Sequence, residues 1–370
     1  MKNILILQEA LDGGGAEKVL IDILHNFDYT KYNVDLLVLF KYGVYIDQIP
    51  PQVNVTYLYP RGKVGRLEKK FRKKSYYPKI QRYRIRRLLK DKIYDACISF
   101  MEGPSSKFQT FIFDKSKKNI SWIHTDMKLN HWSLKHFKTA EGERAYYEDI
   151  DQIVFVSEAS KNAFNELYPT VKTPQKVIYN LINKPEIVSK AALITIPKKK
   201  FTICHIGRLS PIKRQDRLLE VAKLLKDHHY DIDVWVLGTG PEEEALLQQR
   251  TLLGLEETVH FIGFKNNPYP YLKSADAFML TSDAEGFPLV ICESLCLGVP
   301  VISTKATGLI ELLANESGIL TELTAQDLFE ATKSLIDNPE LLKKYQQKAI
   351  ERSVMFDIKK TIAEIESVIE

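Results

Sequence analysis

Glu285-Gly-Phe-Pro-Leu-Val-Ile-Cys-Glu293 sets two carboxylates eight positions apart around a turn that opens a helix, and Gly298-Val-Pro-Val-Ile-Ser303 follows it. The apolar run from Ala277 to Leu280 reads as a buried strand. Pro288 suits the first helical position, Leu289 to Leu297 is helix-compatible, and Gly298 suits the position just past the helix end. Glu285 therefore sits on the loop after a strand, while Glu293 lies more than a turn inside the helix. The two acids face different parts of a ligand laid across the helix N-terminus, whose free N–H groups favour anionic phosphate.

The same strand–loop–helix grammar runs from end to end. Short β-branched runs near Ile4–Leu7, Val34–Leu39, Val53–Leu58, Ala96–Phe100, Ile120–Ile123 and Ile153–Val156 alternate with helical patterns, and Phe201–Ile206, Val234–Leu237, Val259–Ile262, Ala277–Leu280 and Val299–Ser303 continue the series. That alternation predicts parallel sheets with crossover helices. A chain of 370 residues exceeds the usual size of a single core. Pro185, Pro197 and Lys198-Lys-Lys200 mark a junction, so the expected division is 1–185, 186–356 and a last helix, 357–370, packing back on the first domain. The expected active cleft lies between the halves.

No apolar run approaches the roughly 20 residues of a membrane span, and the N-terminus enters Asn3-Ile-Leu-Ile-Leu7 directly. The expected location is cytoplasmic. Cys97, Cys204, Cys292 and Cys296 are scattered in apolar segments and read as buried reduced thiols, with neither a disulfide framework nor a zinc site. The formal net charge of +5 hides an asymmetry: Arg61 to Lys92 holds fifteen Lys or Arg against Glu68 and Asp91. Phe71, Tyr76, Tyr77, Ile80, Tyr83 and Ile85 interleave with those charges, the pattern of a helix in the interface of an anionic membrane. A plain solvated face is the bland alternative. Nucleic acid is not expected, since no nucleic-acid module accompanies the patch.

Three further loops carry candidate chemistry. Gly13-Gly-Gly15-Ala16-Glu17-Lys18 follows the first strand, and Gly14 and Gly15 let backbone amides approach a phosphate closely. It lacks the Gly-Lys-Ser/Thr ending of a P-loop, and Lys18 stands where a dinucleotide fingerprint needs its third glycine. Gly207-Arg208-Leu209-Ser-Pro-Ile-Lys213 follows the first strand of the second half, where Arg208 as a rigid fork and Lys213 as a point charge can converge on a diphosphate. Trp122-Ile-His124-Thr-Asp126 closes a first-half strand, where His124 is placed for a reacting group or for a structural hydrogen bond. Asp149-Ile-Asp151 and Asp231-Ile-Asp233 precede strands and would point away from the expected cleft, so no metal site is expected.

With Gly14-Gly15-Ala16-Glu17, Val156-Ser157-Glu158, Tyr179-Asn180, Gly207-Arg208-Leu209, Lys213, Gly238-Thr-Gly240-Pro241, Phe261-Ile-Gly263 and the Glu285–Glu293 pair in hand, the chain resembles the retaining glycosyltransferases of family 4 over nearly its full length. It looks most like bacterial enzymes that build capsular, exopolysaccharide or lipopolysaccharide repeats. The resemblance implies an α/β fold of the GT-B kind, two Rossmann-like doubly wound domains facing across a cleft. It implies metal-independent transfer, without a cofactor, of a hexose or N-acetylhexosamine from a UDP-sugar to a lipid-linked saccharide, at the inner face of the cell membrane.

Carried over by position, the resemblance gives Arg208 and Lys213 the donor diphosphate, Glu293 the ribose, and Glu285 with Phe287, Pro288, Leu289 and Val290 the donor sugar. Gly14 and Gly15 close on the phosphates, His124 approaches the sugar ring, and Gly263 with Phe264 flanks the base. The expected catalytic set is Glu285, His124, Arg208 and Lys213. Two rivals fit the same architecture: a nucleotide-sugar epimerase, and a catalytically idle binding module of a polysaccharide-assembly complex.

Overall fold

The computed structural model describes residues 1–60, 77–306 and 308–370. Contacts divide the chain into two compact units, one of Met1–Leu181 with Ile358–Glu370 and one of Ile182–Asp357. The sequence reading set its boundaries at 185/186 and 356/357. Residues 61–76 of the basic segment lie outside the described residues.

In the first unit, strands β1 (Lys2–Gln8), β2 (Tyr32–Phe40), β3 (Asn54–Tyr59), β4 (Tyr94–Ser99), β5 (Ser116–Ile123), β6 (Gln152–Phe155) and β7 (Gln175–Val177) form one sheet in the order β3-β2-β1-β4-β5-β6-β7. Every pairing in it is parallel. Among the described residues its helices are α1 (Gly15–Asn26), α2 (Tyr77–Leu89), α3 (Pro104–Gln109), α4 (Leu134–Phe137), α5 (Ala140–Asp149) and α6 (Glu158–Leu167). Leu5, Leu7, Leu37 and Cys97 pack with Ile85, Leu89 and Phe108, while Ile123, Phe155, Tyr147 and Phe164 form a second cluster. Burial on both faces explains why β1 reads as a continuous apolar run rather than an alternating one.

The second unit repeats the scheme. It contains α7 (Lys184–Ala191), β8 (Phe201–Ile206), α8 (Gln215–Asp227), β9 (Ile232–Leu237), α9 (Glu243–Leu252), β10 (Val259–Gly263), α10 (Tyr269–Ser274), β11 (Ala277–Leu280), α11 (Leu289–Leu297), β12 (Val301–Thr304), α12 (Leu309–Leu312), β13 (Ile319–Thr321), α13 (Ala325–Asp337) and α14 (Pro339–Arg352). The sheet order is β10-β9-β8-β11-β12-β13, again all parallel. Ile203, Val234, Val259, Met279 and Ile302 pack against Leu218, Leu225 and Leu328 as one core. The chain therefore has two Rossmann-like α/β domains.

Several boundaries differ from the sequence reading for local reasons. Pro288 is the N-cap of α11, not its first helical residue, because its ψ of 106° is extended. The strand expected from Val299 begins at Val301, since Gly298 still caps the helix in the left-handed region and Pro300 has no N–H to give. β7 and β13 are three residues each and too short to leave a period in the sequence. β5 begins at Ser116, four residues before its apolar run, because Tyr94 of β4 pairs with Ser116.

The last helix, α15 (Ile358–Ile369), belongs to the first unit. Ile365, Val368 and Ile369 are buried, and on its polar side Lys31 Nζ meets Glu366 Oε2 at 3.1 Å while Lys176 Nζ donates to Ser367 Oγ at 2.6 Å. The apolar stripe carries the docking, since exposed ion pairs contribute less than about 1 kcal/mol. Ile365→Ala is therefore expected to destabilise the protein by about 2–4 kcal/mol in urea unfolding. Lys31→Ala should cost far less, and equal effects of the two would contradict this ranking.

Candidate functional site

In the second sheet the chain order reverses between β8 and β11, the two central neighbours. Ligands of open α/β sheets bind outside the carboxyl ends of the strands at such a reversal. The loop after β8 carries Arg208 and Lys213, and the loop after β11 carries Glu285. Lys213 Nζ donates to Glu285 Oε1 at 2.6 Å, and Ser282 Oγ donates to the same oxygen at 2.6 Å. The sequence reading assigned Lys213 and Glu285 to separate groups of a ligand; the structure makes them one ion pair.

A second layer holds that pair. Arg217, almost fully buried, donates through Nη1 to Thr281 O at 2.6 Å and through Nη2 to Asp283 Oδ1 at 2.9 Å. Arg214 Nη1 reaches Asp283 Oδ2 at 3.2 Å and its Nε and Nη2 bind Asp216. Thr281 Oγ1 donates to Lys213 O at 2.9 Å, and Asp283 N donates to Ile212 O at 3.0 Å. Arg214 itself has φ +52°, a left-handed conformation that costs a non-glycine residue energy, and its hydrogen bonds to Asp216 and Asp283 offset that. These residues fasten the two loops together from beneath.

His205 sits under the same loops, fully buried. Its Nδ1 lies 2.9 Å from Met279 O, and its Nε2 lies 3.2 Å from Gln215 Nε2, which also donates to Arg208 O at 3.0 Å. Burial is the largest influence on the ring and pushes its pKa down to about 4, so it works as a neutral link. The Arg208 side chain is exposed, and among the described residues its guanidinium has no ion-pair partner.

The glycine-rich turns make these loops possible. Gly238, with φ +132°, lets the loop after β9 lie on the loop after β8: a Cβ there would stand 2.0 Å from Gly207 O. Gly308, with φ +82°, runs beneath Glu285 and Gly286, and its Cβ would stand 2.3 Å from Gly286 O. Gly263 closes β10 and its carbonyl accepts from Gly238 N at 3.0 Å, leaving Phe264 exposed beside it. Glu293 is buried one turn into α11, accepting from Tyr269 OH at 3.0 Å, and Phe287 and Pro288 are buried while Leu289 and Val290 are half-buried. Asp283, Arg214, Arg217, Ser282 and Gly308 escaped the sequence reading.

In the first unit the corresponding reversal lies between β1 and β4; Gly14 and Gly15 follow β1, whereas His124 follows β5, one strand further on. Gly14 is the N-cap of α1, and a Cβ there would lie 2.3 Å from Glu17 Oε2. The end of α1 reserved by the sequence reading for a donor phosphate thus holds the protein's own carboxylate, with Glu9 and Asp12 nearby. Burial, with a smaller push from Asp12 and Glu9, raises the Glu17 pKa. His124 packs its ring 4.9 Å from Phe100 and 6.4 Å from Trp122. Its Nε2 is buried and, among the described residues, has no hydrogen-bond partner. Burial pushes its pKa down to about 3, so His124 is neutral at physiological pH. Neutral imidazole suits a hydrogen bond to a sugar hydroxyl better than proton donation.

The four cysteines are free and buried. Among the described residues no group of three His, Cys, Asp or Glu side chains is arranged to hold a metal ion, and no helix is long and apolar enough to cross a membrane.

Comparison with known proteins bears on the family and the fold. Residues 190–352 match the family described as Glycosyl transferases group 1. An uncharacterized glycosyltransferase of Haemophilus influenzae is 26% identical over 355 residues, covering 95% of each chain. The N-acetylgalactosamine-N,N'-diacetylbacillosaminyl-diphospho-undecaprenol 4-alpha-N-acetylgalactosaminyltransferase of Campylobacter jejuni is 34% identical over 190 residues, which is 50% of this chain and 51% of that enzyme. Among solved structures, the Anabaena protein HepE in complex with UDP and glucose superposes with a TM-score of 0.77 at 22% identity, covering 99% of both chains. At that identity the likeness is one of fold.

Asp283→Asn removes charge from the carboxylate shared by Arg214 and Arg217. Because Arg217 is buried while Asp283 is partly exposed, the expected loss is about 1–3 kcal/mol in thermal or chemical unfolding. Unchanged stability would show that the network does not hold these loops.

Proposed function

We propose that this chain, whose residues 190–352 match the family described as Glycosyl transferases group 1 and whose two units have the GT-B kind of fold, is a retaining, metal-independent hexosyltransferase. The donor is a UDP-linked hexose or N-acetylhexosamine, and the acceptor is a hydroxyl of a lipid-linked saccharide in bacterial surface-polysaccharide synthesis. The acceptor reading is supported by the Campylobacter jejuni relative, whose name describes a saccharide on diphospho-undecaprenol. The observation that carries the donor reading is the Lys213–Glu285 pair, with Arg208 beside it, at the carboxyl ends of β8 and β11.

In this reading Arg208 and Lys213 take the donor diphosphate, and Glu293 takes the ribose hydroxyls. Glu285 holds Lys213 in place and meets the donor sugar with the backbone of Phe287 to Val290. Gly263 and Phe264 flank the base. The C1–O bond to UDP breaks as the acceptor oxygen bonds to C1 on the same face, and the acceptor proton passes to the leaving phosphate. Charge accumulates on that phosphate, so a guanidinium and a prepositioned ammonium there lower the barrier. The pairing of Lys213 with Glu285 fixes the ammonium beforehand.

Arg208→Ala is expected to cut slow hydrolysis of the cognate UDP-sugar in EDTA by about 10²–10³-fold, measured as released nucleotide. Near-normal release from that variant contradicts the mechanism. No release from any UDP-sugar together with a melting temperature unmoved by UDP favours the idle binding module.

The basic segment Arg61 to Lys92 supports a peripheral position on an anionic membrane face. Its described part, α2, has Arg82, Arg84, Arg86 and Arg87 with Ile85 and Leu89 turned inward. Arg86 is tied to Asp114 at 2.6 Å, whereas Tyr83 and Leu88 are exposed. Anionic liposomes are expected to retain the protein and raised salt to release it, as measured by co-sedimentation. Equal retention on neutral liposomes contradicts the electrostatic account.

A further inference from the structure

α11 reads Leu289-Val-Ile-Cys-Glu-Ser-Leu-Cys-Leu297, and Glu293 is the one acidic or basic residue in it. It is 6% exposed. Taking a carboxylate out of water costs stability unless hydrogen bonds replace the lost solvent, so packing alone would favour an apolar residue at this position. One replacement donor is the Tyr269 hydroxyl, 3.0 Å from Glu293 Oε1, and Tyr269 is itself 5% exposed.

Tyr269 opens α10, on the segment that follows β10 and Phe264. Its surroundings are tied down on both sides. Just ahead of it Asn267 Nδ2 donates to Lys190 O of α7 at 2.9 Å, and one turn further on Lys273 Nζ donates to Leu297 O at 2.8 Å. Tyr269 and Lys273 are four residues apart, as are Glu293 and Leu297, so two bonds one helical turn apart join α10 to α11. The Lys273 bond ends on a backbone carbonyl and serves packing. The Tyr269 bond ends on a side chain whose terminal torsion has a broad range of its own, and a phenol held on one carboxylate oxygen narrows that range.

An ionised carboxylate only accepts hydrogen bonds, and the adjacent 2′- and 3′-hydroxyls of a ribose are two donors that match its oxygens when its plane is correctly turned. We propose that Tyr269 is a positioning residue for ribose recognition: its hydroxyl sets the plane of the Glu293 carboxylate before a nucleoside diphosphate arrives, and thereby governs the choice between ribose and 2′-deoxyribose. This deepens the donor reading and rests on it for the ribose at Glu293. Tyr269 acts through Glu293 and not on the ligand directly. Preorganisation lowers the ordering cost of binding, so its loss weakens the ligand that carries both hydroxyls more than the one that lacks the 2′-hydroxyl.

The test is a calorimetric titration with UDP and with 2′-deoxy-UDP, scored as the ratio of their dissociation constants. The wild-type chain is expected to favour UDP by about tenfold or more. In Tyr269→Phe the constant for UDP should rise about fivefold or more and that for 2′-deoxy-UDP far less, so the ratio collapses. A wild-type ratio in that variant overturns the proposal, because a packing role lowers stability without choosing between the two sugars. Lys273→Met cuts the neighbouring bond from an exposed side chain and should leave the ratio unchanged; a collapse there equal to that of Tyr269→Phe also overturns it. If the carboxylate left without its phenol unfolds Tyr269→Phe, Glu293→Gln and the double variant Glu293→Gln/Tyr269→Phe take its place. The ratio should then be lower in the double variant, and equal ratios overturn the proposal. Failure of the donor reading looks different: the wild type then shows no saturable UDP binding, or Glu293→Gln keeps the wild-type ratio, and the proposal falls with that reading.

Discussion

A lysine and a glutamate 72 residues apart in the chain meet at 2.6 Å because two parallel strands of opposite winding sense lie side by side. Much of the second unit's architecture serves that meeting. The reversal between β8 and β11 opens the crevice, and the loops after both strands turn into it. Arg217 and Asp283 fasten the loops from below, and Gly238 and Gly308 allow neighbouring backbones to come closer than any side chain would permit. An ion pair built this way is anchored through the backbone and side chains of both loops. That is the arrangement expected where charge must be fixed before it is needed.

The first unit uses carboxylates differently. Glu102 binds neutral donors and organises a loop, whereas Glu17 folds back over the N-terminus of α1 with Glu9 and Asp12 near it. A phosphate approaching Gly14 and Gly15 meets a site that already holds negative charge, so the part of these glycines in donor binding depends on where Glu17 goes. His124 is a neutral ring packed at a tilt against Phe100, and Glu102 holds its backbone amide.

The fold was legible from the sequence because parallel sheets buried on both faces leave long apolar runs, and because Gly298 and Pro288 punctuate α11 within one residue of its ends. β7 and β13 were not legible, since three residues carry no period. For the candidate site, the loop positions of Arg208, Lys213 and Glu285 and the helical position of Glu293 followed from strand ends and helix starts alone. The pairing of Lys213 with Glu285 did not, because it depends on which strands are neighbours. Arg217 looks like any helical arginine in α8 until the structure shows it buried against Thr281. Gly308 is similarly silent: its value lies in the 2.3 Å its missing Cβ leaves to Gly286 O.

The account stands on a nucleotide-sugar site at the reversal of the second sheet, and hydrogen–deuterium exchange with and without UDP tests it most directly. Protection is expected in the loops after β8, β9, β10 and β11 and in the first turn of α11, spanning residues 207–214, 238–241, 263–265 and 282–293. Protection confined to other segments, or none at saturating UDP, would contradict it.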